Sequence, residues 1–307
     1  MISAAAASPT VPHNACIRTW LGRFSVAYIT LDARAIEVDE RAGFASLALE
    51  AKKAYVHRYR ALGPYHLANP TAWERAQPTV LQHLTELAHH HHALAQRDKR
   101  AADVQEAVRW YRELLKDFPD ADGAAHDEFL LAELLYENAR YAEAVSSYEQ
   151  AAYAYPWHDK SADAGYAALL AHAQLVKRAD AQAQPKLQRA AVDSALQFAQ
   201  AFSKDARVGA VLSDAADKLY ALNDGERAAQ VAQQVLDLQP PADAAQRRVA
   251  WTVLAHTSFE RGDHAKAEQA YAQALALTPA QTASRNDLQE RQAAAIYKQG
   301  EIGRAHV

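Results

Sequence analysis

The sequence predicts an all-α fold in which antiparallel helix pairs follow one another along the chain. Two observations carry this. From about residue 35 onward, apolar residues recur at three- and four-residue steps. The same helix–turn–helix spelling then returns several times, with small residues, an aromatic and a closing proline at fixed offsets. Half of the 307 residues are apolar, ample for a core spread along a row of such pairs.

The clearest copy is Arg248–Gln281. Trp251, Leu254 and Ala255 share one face of a first helix, at i, i+3 and i+4. Ala267, Tyr271 and Ala274 share one face of a second. Small residues at Ala255 and Ala267 let the two backbones approach, and Trp251 and Tyr271 fill the space beside them. Gly262-Asp263 makes the turn, where glycine takes a positive φ without steric cost. Pro279 has no N–H and closes the second helix. One such pair cannot bury its apolar face alone, so neighbours are required.

The neighbours are legible. His126–Pro156 repeats the spelling with Leu131, Ala132, Leu135, Ala144, Tyr148, Ala151 and Pro156, and Ala139 stands at the turn. Gly209–Pro241 repeats it with Leu212, Ala215, Ala216, Leu219, Ala228, Val235 and Pro240, around an Asn223-Asp224-Gly225 turn. A looser copy comes first, with Leu84, Leu87, Ala88, His91, Ala107, Tyr111, Leu114 and Pro119, and extra residues near Arg97–Ala102. A degenerate copy joins Ala164–Leu175 to Leu187–Phe202 through a polar linker, and Asp287–Gln299 reads as the first helix of a further pair.

The spacings W-x2-L-[GA], A-x3-[FY]-x2-A and the closing proline resemble a tetratricopeptide repeat over roughly Thr79–Gln299. The resemblance implies a right-handed superhelical solenoid of about five repeats plus a truncated one. It also implies a non-enzymatic scaffold that grips protein partners in a groove lined by the first helices. Two features resemble the bacterial cell-envelope branch, similar to outer-membrane assembly lipoproteins and Tol-associated periplasmic coordinators. One is the helix ending Phe118-Pro119 or Tyr155-Pro156; the other is the run of small residues Ala162, Gly165 and Ala167 that follows. That likeness implies a periplasmic or envelope location, with a cytoplasmic adaptor as the alternative. Another alternative is a structural module of a larger assembly whose recognition lies in further repeats.

The groove positions implied here are Phe129, Glu133, Tyr136 and Glu137, then Ser213, Asp217 and Tyr220, then Thr252, His256, Phe259 and Glu260. Aromatics recur at Tyr136, Tyr220 and Phe259, a position that serves packing and binding equally well. The interleaved acids imply a protein or peptide partner that is extended, partly apolar and somewhat basic. Tetratricopeptide domains that bind acidic chaperone tails carry a lysine/asparagine clamp; Glu133, Asp217 and His256 stand where its asparagine would be, so that activity is not implied.

Around the repeats, Ala35–Leu62 reads as one helix stopped by Gly63-Pro64. Tyr65–Pro78 reads as a connector whose helical piece, Thr71–Ala76, is bracketed by Pro70 and Pro78. Residues 1–34 read as a poorly defined arm containing a β-like run, FSVAYITL. The expected domains are therefore 1–34, 35–78 and 79–300, with 301–307 a non-native tail, because EIGRAHV matches the translation of a common sequencing-adapter DNA. No basic start and no long apolar stretch mark a signal peptide. No apolar run approaches the roughly 20 residues of a transmembrane helix.

A net charge of −4 argues against nucleic acid as the partner. The single cysteine, Cys16, allows no internal disulfide. Nucleophile-elbow, phosphate-loop and dinucleotide motifs are absent, so neither catalysis nor a cofactor is expected. The run His89–His92 is the loudest local feature. His89 and His92 share a helix face and form the start of a weak metal grip, but no third ligand accompanies them. The expectation is that His91 packs in the repeat while the others face solvent.

Overall fold

The computed structural model describes residues 28–280 and 282–305, with side chains described as far as residue 300. Cys16 and the first half of the β-like run lie outside the described residues. Every regular element among the described residues is a helix. The chain forms two compact units, residues 1–134 and 135–307.

In the first unit, helix α1 covers residues 28–41 and α2 covers Ala45–Arg58. The stretch expected as one helix from Ala35 is thus broken. Gly43, at φ +80°, turns the chain: its N–H donates to the Glu40 carbonyl at 3.0 Å, and the Phe44 N–H donates to that of Asp39 at 2.9 Å. This is the glycine-closed helix end, in which the last carbonyls are satisfied by the turn itself. The second half of the β-like run is helical as well. Ile29 and Ile36, 4% and 1% exposed, lie two turns apart on the buried face of α1, so burial at the helical period overrides the β-branched local pattern.

Helix α3 (Pro64–Ala68) leads to α4, which runs from Pro70 to Asp98. Pro70 sits in the first turn, where its missing N–H costs nothing. Pro78 does not bracket a connector but lies inside α4. It removes one backbone bond, yet Trp73, Ala76, Val80, Leu84 and Leu87 keep one continuous buried face across it. The Trp73 indole N–H donates to the Tyr59 carbonyl at 2.7 Å, anchoring the start of that face. The extra residues near Arg97 lengthen α4 rather than forming a loop; Lys99, at φ +52°, then turns the chain into α5, Ala101–Asp117. Lys52 on α2 pairs with Glu40 of α1 and, at 2.6 Å, with Glu86 of α4. Helix α6 covers Ala124–Glu137.

The second unit continues with α7 (Tyr141–Glu149), a π-helical turn (Gln150–Ala154), α8 (Ser161–Arg178) and α9 (Gln184–Ala201). Then come α10 (Val208–Ala221), α11 (Gly225–Asp237), α12 (Ala244–Glu260), α13 (His264–Ala276) and α14 (Ala283–Ala305). Each helix from α8 to α14 packs on its neighbours in sequence, the nearest-neighbour plan of a solenoid. The small residues do what their spacing requires. Ala255, Ala267 and Ala274 are fully buried and Tyr271 is 1% exposed; Ala216, Ala228 and Val235 are equally closed. Trp251 departs from expectation: it packs on the same cluster but is only half-buried. Helix α14 is longer than the expected Asp287–Gln299.

Candidate interaction surface

The first helices of the last repeats bring an aromatic–acid ledge together. Tyr220 occupies the final turn of α10, and Glu260 the end of α12. Both helix ends are fixed by their turns. Asn223 and Gly262 take positive φ, and the following Asp224 and Asp263 cap α11 and α13 by accepting from the backbone N–H of Arg227 and Lys266. Held this way, the Tyr220 hydroxyl donates to Glu260 Oε1 at 2.7 Å. Burial, reinforced by that carboxylate, pushes the Tyr220 hydroxyl up to about 12.

His256, one turn before Glu260, lies tilted between the rings of Tyr220 and Tyr271, with centroids 5.1 Å and 5.7 Å away. Burial, together with the Arg291 guanidinium, lowers its pKa, so the imidazole is neutral near pH 7. Its Nε2 is buried and makes no hydrogen bond. Asp217 is exposed one turn before Tyr220, and its charge reaches His256. Arg291 of α14 donates to Asp287 at 3.0 Å and acts on Tyr220 and Tyr271.

The other expected positions fall elsewhere. Phe259 is half-buried and packs edge-on against His264 across the Gly262 turn, at 5.0 Å. Tyr136 is half-buried with its ring against Tyr141 and Tyr148, at 5.2 and 6.4 Å; Glu137 beside it is exposed. Phe129 and Glu133 are half-buried in the first unit. Ser213 is buried and donates back to the Ala210 carbonyl, and Thr252 to that of Arg248, so both serve their own helices.

His92 packs inward along with His91, which corrects the expectation that only His91 packs; His89 and His90 are exposed. His91 and His92 are 6% and 7% exposed. His92 Nδ1 is hydrogen-bonded to the Tyr111 hydroxyl at 2.9 Å, and His89 Nε2 to Asp127 Oδ1 at 2.7 Å. His89 and His92 do share a face, but each is committed to a different partner. No group of three metal-ligating side chains assembles among the described residues.

A polar set that the sequence reading missed lies in the second unit. Glu149 Oε1 accepts from Ser194 at 2.8 Å and lies 3.4 Å from His172 Nε2; His172 holds the carboxyl below its usual range. Ser194 and His172 both bond to the carboxylate rather than to each other. Both are almost fully buried, so the set ties three helices together and is not a nucleophile–base pair. Three residues so far apart in sequence give no local signal.

A row of antiparallel helix pairs, each packed on its neighbours in sequence, defines a helical-repeat protein. Residues 249–281, the stretch on which the sequence pattern centres, match the tetratricopeptide repeat family model. No curated protein matches the chain. Among solved structures, a thermophilic tetratricopeptide-repeat protein of Thermus thermophilus is similar at 16% identity and a TM-score of 0.33, covering 68% of this chain and 99% of its own. A tetratricopeptide repeat protein from Parabacteroides merdae is similar at 13% identity and a TM-score of 0.32, covering 89% and 99%. BtubC from P. vanneervenii is similar at 19% identity and a TM-score of 0.35, covering 83% and 94%.

Proposed function

We propose that this protein is a non-enzymatic scaffold that holds an extended protein segment, partly apolar and somewhat basic, against the first helices of its C-terminal repeats. The observation that carries the reading is the Tyr220–His256–Glu260 ledge. It offers half-buried ring faces and the carboxylates of Asp217 and Glu260 on its rim. Ring faces anchor a partner by burial, and rim acids select its charge and speed its approach. Tyr136, Glu137 and Phe259 in the second unit and, separately, Phe129 and Glu133 in the first are further proposed contact positions, apart from the ledge. Nucleic acid does not fit an acidic ledge on an acidic chain. The likeness of Phe118-Pro119, Tyr155-Pro156 and the small residues after them to envelope repeat proteins supports a bacterial envelope complex as the setting.

The test begins with a photo-crosslinking amino acid at Asp217, used in cells to trap and identify the partner. Tyr220→Ala and His256→Ala should each weaken the purified complex by roughly tenfold or more, as buried anchors do. Glu260→Gln should weaken it chiefly at low salt. Circular dichroism should stay helical throughout. Binding that survives the double replacement of Tyr220 and His256 would place recognition on another surface.

A further inference from the structure

We propose that the gap between α8 and α10 is a second docking slot, one that takes the apolar side chains of a partner helix bearing acidic residues beside them. The proposal rests on the scaffold reading but not on the Tyr220 ledge. Helices α8 and α10 both pack on α9 yet scarcely touch each other, whereas α10 packs directly on α12. The degenerate repeat therefore leaves open a place that its better-formed neighbour closes. The opening measures about 480 Å³, within the roughly 300–1,000 Å³ typical of sites that enclose a bound group. Leu169, Leu170 and Val176 form one wall, Ala191 on α9 the floor, and Val211 on α10 the other wall. Leu170 is 44% exposed, so this wall presents leucine to water. A trough walled by two helices suits a row of side chains from a third, spaced three or four residues apart.

The charge at the mouth selects the partner. Lys177 and Lys218 line it against one acid, Asp214, which is paired with Lys218 at 2.6 Å. Lys177 is exposed and enters no ion pair among the described residues. The mouth is thus net positive on a chain whose net charge is −4. The Tyr220 ledge, rimmed by Asp217 and Glu260, asks for the opposite charge, so one segment does not satisfy both surfaces. The slot lies between the repeat that matches the spelling least and the well-formed one that follows it.

The experiment selects a displayed library of random peptides about 16 residues long, enough for four helical turns, on the full chain. Enriched peptides are then measured by fluorescence anisotropy. Ala210 and Ala173 are exposed residues of the slot lining, so Ala210→Trp and, separately, Ala173→Trp plug the opening without entering the core. Expected are peptides with apolar residues three or four apart and neighbouring Asp or Glu. Their affinity should fall roughly tenfold or more in the plugged variants, fall in Lys177→Glu, and stay unchanged in Tyr220→Ala; melting curves select the plug that folds. Binding indifferent to the plugs overturns the slot, and if it is lost in Tyr220→Ala the ledge reading survives alone. Enrichment of basic peptides overturns the acidic partner. No enriched peptide at all counts against both surfaces. Self-association of the wild type that a plug abolishes would make the occupant a second copy, and the proposal would fall.

Discussion

Where the chain turns tightly out of one helix into an antiparallel partner through a residue in the left-handed region, the residue type there sets a local stability. Helices α6, α10 and α12 end on Ala139, Asn223 and Gly262, at φ +58°, +58° and +78°. All three make the same pair of closing bonds, such as Ala139 N–H to Tyr136 and Arg140 N–H to Leu135. Glycine is at ease there, asparagine is tolerated and alanine is strained by about 1 kcal/mol. Ala139→Gly should therefore raise the urea midpoint by about that energy, and Gly262→Ala should lower it by a similar amount. Gly165 works through space rather than φ. In the interior of α8, alanine would ordinarily gain up to about 1 kcal/mol. A Cβ at Gly165 would meet Phe202 at 2.9 Å, the Tyr153 hydroxyl at 3.0 Å and Phe198 at 3.1 Å. Overpacking of that kind outweighs propensity, so Gly165→Ala should cost about 1–3 kcal/mol in equilibrium unfolding. A gain instead would mean that the Tyr153–Phe202 stack yields freely.

At the scale of one helix, α4 is tuned by its histidines. Burial lowers the pKa of His83, His90, His91 and His92, while the hydrogen bond to Asp127 raises that of His89. In the unfolded chain all five return to about 6.5. The four lowered groups bind more protons unfolded than folded, so the stability they leave intact at neutral pH is lost as pH falls below about 6.5. His89 has the opposite sign: its contribution is complete below about 6.5 and is lost as pH rises through its folded value. Four against one predicts net destabilisation between pH 7 and pH 5, measurable as a falling melting temperature. His91 is the sharpest probe, because both its ring nitrogens are buried without a hydrogen bond. His91→Leu should stabilise by about 1–2 kcal/mol at pH 7 and flatten the acid limb; a steeper limb would refute this account. Sequence spacing found the helix and put His89 and His92 on one face. It missed the burial of His92 because the hydroxyl that receives it belongs to Tyr111, on the next helix. It also read Pro78 as a boundary and passed over Gly43. At Pro78 tertiary burial, which a local rule does not see, carried the helix on; at Gly43 a local turn signal ended it.

Across the whole molecule, a row of helix pairs has no single centre, so damage should stay where it is done. In the second unit one buried cluster runs from Val192 to Val253 and another from Ala255 to Ala295, and α12 contributes to both. The repeat spelling predicted that Ala255 and Ala267 bring α12 and α13 together, and both lie in the C-terminal cluster; it did not predict how far Trp251 is covered. The indole packs on the C-terminal cluster with one side open to solvent. Trp251→Ala should accordingly cost about 1–2 kcal/mol, less than the roughly 3–5 kcal/mol lost with a fully buried tryptophan. The distribution of that loss is the more telling quantity. Hydrogen exchange should speed up in α13 and α14, whose packing depends on the cluster, while the amides of α10 and α11 keep their protection. The Tyr220–Glu260 bond ties α10 to the end of α12, just before α13, so segment binding at the ledge should restore protection to α13 in the variant. Equal loss of protection in α10 and α13 would mean that the second unit opens as one cooperative body, and the nearest-neighbour description would not apply to it.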